Sequence, residues 1–483
     1  MKIKVKLTLL ILLLSIQFSC NKWMELIPPE GLIRDEFWKT KEDVEAVLMG
    51  AYETFASMDG ALFRYGELRG DMVAAGSNLG DSERKIMEGS IYPDNYICDW
   101  SNFYKVINYC NEVIKNGPIV RKIDDTFTDY QLQGYLSEAI YLRSLAYFYL
   151  VRIFKDVPYI TQPTESDDAD FYVPKSDGDE ILNNLLEDLE EYRKYATIDG
   201  YITLEELKGR VTRAAYDALL ADINLWMFNY DEVLRHTAKI DLLDKYQIMR
   251  SNAWFDIFFP GNSIESIFEF QFDDALNQKN SLYGMTQRFS YSYLASKKAI
   301  DYFKEETVRN FSIRKYSETE YIIWKYVGKA ADIESFRSGS DQNSANWIIY
   351  RSTDVWLMMA EALSQLERFD EARSILYLLE DNVSVPRATP ANTVAAFEDA
   401  IMEERALSLA FEGKRWFDLM RMGRRNDFAR KSKLIDVVVQ SVPSTQKRIL
   451  QVKLTNPLGW YLPIHEDELE RNKALVQNPY YNF

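Results

Sequence analysis

Residues 353–379, TDVWLMMAEALSQLERFDEARSILYLL, read as two helices with a short break between them. The first carries Ala360, Glu361 and Ala362; the second opens at Phe369-Asp370-Glu371-Ala372 and runs on through Leu376. An aromatic residue followed by Glu and Ala marks where the second helix of a hairpin starts, because alanine lets two helices approach closely. Residues 212–238, TRAAYDALLADINLWMFNYDEVLRHTA, repeat the design. Ala215, Ala218 and Ala221 line the first helix, and Tyr230-Asp231-Glu232 opens the second.

These hairpins have the form of tetratricopeptide units, degenerate and irregularly spaced. Outward from them the chain stays helical. Residues 41–57 place Val44, Val47, Leu48, Ala51, Tyr52 and Phe55 on one stripe, and 100–115 do so through Phe103, Val106, Ile107, Cys110 and Ile114. A long helix is expected over 130–154, stopped by Asp156-Val157-Pro158, since the residue before proline avoids helical geometry. Another is expected over 176–196 with Ser176 or Asp177 as its cap. Two stretches break the pattern, about 58–99 and about 250–346. The second holds an alternating strand signal at Phe268, Phe270 and Phe272 and an apolar run from Tyr321 to Val327. The fold class is therefore mostly α: helix pairs packed against an irregular, loop-rich half with a few short strands.

The first residues set the compartment. Lys2, Lys4 and Lys6 precede the apolar stretch from Leu7 to Leu14, a secretory signal too short to span a bilayer comfortably. It ends at Ser19-Cys20, so a signal peptide over 1–19 and lipid attachment through Cys20 are expected. Gln17 and Phe18 depart from the usual lipoprotein processing residues, and the alternative is an ordinary signal peptide with an incidental cysteine. Beyond it, 483 residues with 47% hydrophobic content allow a large core. The net charge of −17 leaves nothing to neutralise a phosphate track, which excludes nucleic acid as a partner. Cys98 and Cys110 would lie ~18 Å apart on one helix, too far to bridge, and two buried free thiols are expected.

Catalytic chemistry is nearly absent. Two histidines, His236 and His465, cannot build an imidazole metal triad, and His236 reads as a half-exposed helix residue. No Cys-x-x-Cys, His-Glu-x-x-His, Gly-x-Ser-x-Gly or phosphate-binding glycine loop occurs, no EF-hand spacing is present, and no cofactor is expected. Carboxylate pairs such as Asp273-Asp274 are expected by chance among 74 acidic residues.

YRSTDVWLMMAEA at 350–362, EERALSLAFEGKRWFDLMR at 403–421 and YLPIHEDELERNKALVQNPYY at 461–481 carry a resemblance. So do FWKTKEDVEAVLMGAY at 37–52, Trp100 with the following Asn-Glu-Val-Ile, EAIYLRSLAYFYLVRIFKDVPYI at 138–160 and GRVTRAA at 209–215. In this order the segments resemble the SusD/RagB family of outer-membrane lipoproteins over nearly the whole mature chain. Ser408 departs from an acidic position, His465 from a common proline, and Asp381 to Arg387 from a frequent loop motif. The resemblance implies one SusD-like domain over 20–483, with an N-terminal part of about 20–250 and a C-terminal part of about 251–483. It implies four tetratricopeptide-like helix pairs, a SusC-type TonB-dependent channel as partner, and capture of oligosaccharides or, in some members, peptides.

The hallmark charges have a structural reading. Glu404, Arg405, Glu412, Arg415, Trp416 and Asp418 are spaced for ion pairs and cation–π packing on one helix face, with Arg351, Asp354 and Glu361 completing the network. Trp100 reads as a core anchor. Ligand is expected on aromatic residues outside the helix stripes and beside planar polar groups. Those are Asp71, Asn78 and Tyr92 in the first irregular stretch and Tyr291, Tyr293, Trp324 and Trp347 in the second. The expected function is surface capture of glycan beside a channel. Peptide capture on the same fold is the alternative, and a surface glycoside hydrolase a remoter one.

Overall fold

The computed structural model describes residues 37–164, 172–198, 200–287, 291–331, 335–383, 385 and 388–482. The signal segment, Cys20 and part of the stretch from Asp381 to Arg387 lie outside the described residues. Among the described residues, nine helices come before the middle of the chain: α1 (Lys41–Ala56), α2 (Asp59–Glu67), α3 (Asp81–Met87), α4 (Ser101–Val120), α5 (Asp129–Phe154), α6 (Gly178–Tyr192), α7 (Leu204–Gly209), α8 (Arg213–Trp226) and α9 (Tyr230–Thr237). Then come α10 (Leu282–Thr286), α11 (Lys297–Phe303), α12 (Ser352–Gln365), α13 (Phe369–Val383), α14 (Val394–Ser408), α15 (Arg415–Phe428), α16 (Lys431–Val438), α17 (Ser444–Leu454) and α18 (Glu466–Arg471). The described residues also form three two-stranded antiparallel sheets: β1 (Val73–Ala75) with β3 (Tyr293–Ala295), β2 (Ser266–Phe270) with β6 (Trp347–Arg351), and β4 (Ile313–Lys315) with β5 (Tyr321–Ile323).

The longest helix is the rod on which the N-terminal half is built. A capping box starts α5: Gln131 N donates to Thr128 Oγ1 at 3.2 Å and Thr128 N to Gln131 Oε1 at 3.1 Å. From Leu136 to Phe154 it is buried on every side, with α1, α4, α6 and α8 packed around it. Its buried charges are each matched, as burial requires. Glu138 meets Arg210 at 2.7 Å, Arg143 meets Asp188 at 2.8 Å, and Arg152 lies 3.8 Å from the centre of the Phe148 ring.

The two hairpins form where the alanine pattern places them, α8 with α9 and α12 with α13, and α9 packs against α12. His236 corrects its sequence reading. It is fully buried, its Nδ1 3.1 Å from Asp217 Oδ1 and its Nε2 3.0 Å from Glu190 Oε1, because α9 turns that face onto α8 and α6 rather than to water. The stretch 58–99 is also more regular than expected, since it contains α2, β1 and α3. Cys98 and Cys110 are free and buried, and burial pushes the Cys110 thiol up to about 12. No helix among the described residues is long and apolar enough to cross a membrane.

The hallmark charges are paired as expected, but across helices rather than along one. Helix α14 ends at Ser408 and α15 begins at Arg415; between them Phe411 and Gly413 take left-handed backbone angles, φ 67° and 71°. Arg405 on α14 reaches Asp354 on α12 at 2.9 Å and Asp418 on α15 at 2.8 Å. Arg421 meets Glu361 at 2.7 Å, and Arg415 grips Asp71 with two hydrogen bonds of 2.6 and 3.0 Å. Arg351 joins Glu412 at 2.9 Å, and Trp416 carries Arg69 over its ring at 4.3 Å. Burial alone would raise the Glu361 carboxyl, but Arg421 and Arg425 pull it down to about 2.

The turn between α14 and α15 touches α2 backbone to backbone. A side chain on Gly66 would stand 1.9 Å from the Gly413 carbonyl oxygen, and one on Gly413 would stand 2.7 Å from the Trp347 ring. Gly413→Ala therefore meets both left-handed strain of about 1–2 kcal/mol and a clash with a buried indole. Urea unfolding should show a loss beyond the strain figure, and a midpoint equal to the parent's would refute this packing.

Glu67, at the end of α2, accepts Gly413 N at 2.9 Å in a fully buried position. Burial raises its carboxyl from 4.5 to about 8, against the pull of the Gly413 hydrogen bond and of Arg415. The folded chain thus holds this proton more tightly than the unfolded one. The stabilisation is complete below about pH 4.5 and is lost as pH rises through about 8. Glu67→Gln should flatten the fall in stability across that window, measured as urea midpoints against pH; an identical slope in parent and variant would refute it.

Candidate functional site

Strand β1 pairs with β3 from Val73↔Ala295 to Ala75↔Tyr293, and the ladder continues past both strand ends. Gly76 N donates to Ser292 O at 2.8 Å and Asn78 N to Tyr291 O at 3.1 Å. Only glycine fits at the crossing, because a Cβ on Gly76 would lie 2.4 Å from the Tyr291 carbonyl oxygen. This pairing joins the two irregular stretches of the sequence and sets Asn78 beside Tyr291. The Tyr291 hydroxyl donates to Glu320 Oε2 at 3.1 Å, and its ring stands edge-on to Tyr316, 5.8 Å away, at the turn of the β4–β5 hairpin. Tyr316 is exposed.

The same rim continues through α3 into the turn that carries Tyr96. Asn95 caps that turn by accepting Ile97 N at 3.0 Å, and its amide donates to Ser82 O at 2.9 Å. The Tyr96 ring is 48% exposed, yet its hydroxyl is fixed on Glu83 Oε1. Arg64 stands behind it, 5.8 Å from the ring centre and 3.7 Å from Glu83 Oε1, while its Nε donates to the Tyr293 hydroxyl at 3.0 Å. Partial burial and the Glu83 hydrogen bond hold the Tyr96 phenol well above its ordinary pKa, so it remains a donor at neutral pH. Burial and Glu320 do the same for Tyr291. The outcome is two exposed aromatic faces, Tyr96 held by Glu83 and Tyr316 resting on the buried Tyr291, bordered by an amide, a guanidinium and two carboxylates. Such a surface covers the apolar face of a flat polar ligand and hydrogen-bonds its edge.

The expected ligand residues divide into two groups. Asn78 and Tyr291 adjoin, and Tyr92, 50% exposed, lies on the segment between α3 and Tyr96. Tyr291 itself is buried beneath Tyr316, and the other four are internal as well, which corrects the reading of all five as ligand-facing. Asp71 is buried under Arg415. Tyr293 packs on Phe63 at 5.3 Å with its hydroxyl taken by Arg64. Trp324 donates to Ala330 O at 2.8 Å and meets Phe336 edge-on. Trp347 stacks on Tyr326 at 6.3 Å. The reason is common to them: their segments are covered by core on both sides, so a loop-like composition does not mean an outward side chain. Tyr96 and Tyr316 were missed, although Tyr96 sits beside Asn95 and Asp94 as Tyr92 sits beside Asp94.

Comparison with known proteins finds relatives along almost the whole chain. A family described as "SusD family" matches residues 265–481, and one described as "Starch-binding associating with outer membrane" matches residues 22–234. SusD-like protein P38 of Formosa agariphila is 24% identical over 528 residues, covering 97% of this chain and 98% of that protein. A solved laminarin binding SusD-like protein superposes with a TM-score of 0.72 at 20% identity, over 92% of this chain and 100% of that one. Surface glycan-binding protein A from Bacteroides thetaiotaomicron, in complex with laminarihexaose, gives a TM-score of 0.72 at 21% identity, over 91% and 100%. At these identities the likeness to the solved structures is one of fold, and it is the mostly helical fold described above.

The division between internal and rim aromatics can be measured. Trp347→Ala should cost about 3–5 kcal/mol in urea unfolding, as emptying a core indole site does. Tyr92→Ala should stay within about 0.5 kcal/mol of the parent. Equal costs for the two would contradict the placement.

Proposed function

Because the chain belongs to the SusD/RagB family, a glycan-binding family associated with the outer membrane, we propose that it captures oligosaccharides at the cell surface and passes them to a SusC-type TonB-dependent channel. The observation that carries this reading is the rim: Tyr96 pinned by Glu83 and Arg64, with Tyr92 nearby and Asn78 adjoining Tyr291 and Tyr316. A pinned aromatic loses little conformational freedom on binding, so more of its contact energy remains as affinity. Both rim carboxylates are engaged in orienting tyrosines, which suits recognition. The laminarin-binding proteins of like fold support a glycan as ligand. Attachment through Cys20 keeps the chain at the membrane beside the channel, because two or more acyl chains anchor stably where one does not.

Isothermal titration of the full mature chain in mild detergent against a panel of plant and host oligosaccharides, laminarihexaose included, and a peptide mixture tests the proposal. Heat with one glycan class is expected, and Tyr96→Ala should weaken that binding at least about tenfold, roughly 1.4 kcal/mol. Glu83→Gln, which loosens the ring without removing it, should fall between parent and Tyr96→Ala. Heat with peptides alone would replace the glycan reading by peptide capture. New reducing ends after incubation with polysaccharide would point to hydrolysis instead.

A further inference from the structure

A second opening of matching chemistry lies at the other end of α5. A cleft of about 600 Å³ is bordered by Tyr130 and Gln133 in the first turns of that helix, Lys194, Tyr195 and Thr197 just after α6, and Arg213 at the start of α8. That volume is within the roughly 300–1,000 Å³ of small-ligand sites. The Tyr130 ring is 79% exposed and the Tyr195 ring 37%. Ile198, 53% exposed, lines the same cleft, and apolar groups left open to water together in this way mark places of interaction.

The wall behind them is built, not loose. Tyr195 packs against Tyr192 with ring centres 6.0 Å apart, and Lys194 Nζ lies 4.8 Å from the Tyr195 ring centre. Arg213 donates to the carbonyls of Lys194 at 2.9 Å and Ala196 at 3.3 Å, fixing the segment that carries Tyr195. Asp129, at the same edge, is paired with Arg121 at 2.8 Å. Asp129 is thus already paired, while Lys194 and Arg213 keep their charge and serve the cleft as hydrogen-bond donors suited to hydroxyl oxygens. Gln133 and Thr197 add amide and hydroxyl groups to the same lining as Tyr130 and Tyr195, a composition of aromatic faces and polar donors that suits a polyol ring.

The position matters as much as the composition. The far end of α5, Phe154, packs on Trp100 at 5.2 Å, four residues along from Tyr96. At 1.5 Å per residue the helix sets the cleft and the rim ~35 Å apart.

We propose that the Tyr130–Tyr195 cleft is a second oligosaccharide site, so that a long glycan chain is held at two points of one molecule. The inference rests on the glycan reading of the rim. Binding at the rim raises the local concentration of the rest of the same chain at the cleft, and polymer avidity follows without any new contact.

Titration of the full mature chain with laminarihexaose and with the laminarin polymer tests it. The parent should take up two hexasaccharides per chain and bind the polymer at least tenfold more tightly than the hexasaccharide. Tyr130→Ala with Tyr195→Ala should reduce the stoichiometry to one, remove the polymer advantage and leave the remaining affinity unchanged. Tyr130→Ala alone, at a ring too exposed to support the fold, should lower the polymer advantage in the same direction. One hexasaccharide per chain, abolished by Tyr96→Ala and indifferent to both cleft variants, would overturn the second site while the rim reading stands. No heat with laminarihexaose or any other glycan of the panel would overturn both.

Discussion

Arginine side chains taken out of water hold this molecule in register. Arg405, Arg415, Arg421 and Arg425 are all buried, and each meets carboxylates brought by another element. Burying an ion costs several kcal/mol, and only close pairing with well-aimed hydrogen bonds offsets it. The effect is geometric before it is energetic. A shift of α15 by one residue against α12 would leave Glu361 and Arg421 both charged, buried and apart. One strand of the lattice reaches the functional surface, because Arg415 clamps Asp71 two residues ahead of β1. The ion pairs of the C-terminal half thereby fix the strand from which the rim projects.

Much of the scaffold was legible in the sequence because a helix repeats its requirement every 3.6 residues. The alanine steps placed both hairpins, and Phe369 and Tyr230 open their second helices as read. What the sequence hid were features set by contacts from afar. The stretch from Glu403 to Arg421 looks like one helix, yet it breaks at Phe411, a residue type that gives no warning of left-handed backbone. The stretch from about 58 was expected to be irregular where α2 stands; its Gly66 is there because another backbone passes within touching distance. His236 lies on a polar-looking helix face that a neighbouring acid, Asp217, covers completely.

The binding surface was legible only at Asn78 and Tyr92, for a related reason. Composition identifies which aromatic residues lie outside helices, but it does not say which way a short strand turns them. β6 is buried on both faces, so Trp347 is core although polar residues precede it. Tyr96 is legible only through its partners: Glu83 and Arg64 come from two different helices and meet at its ring. The joining of Asn78 to Tyr291 follows from a strand pairing that no local pattern announces.

That pairing also orders events in time. The Ser292 hydroxyl reaches the Asn78 carbonyl across 214 residues of chain, a contact of very high sequence separation. Closing so long a loop costs entropy that must be met before the contact returns anything, so such pairings form late. A chain emerging from its N-terminus first presents Asn78, Tyr92 and Tyr96 well before the strand that carries Tyr291 exists to complete the rim. Competence to hold ligand is therefore a property of the finished molecule, and an incomplete or misfolded chain on the same route has no formed surface with which to compete for it.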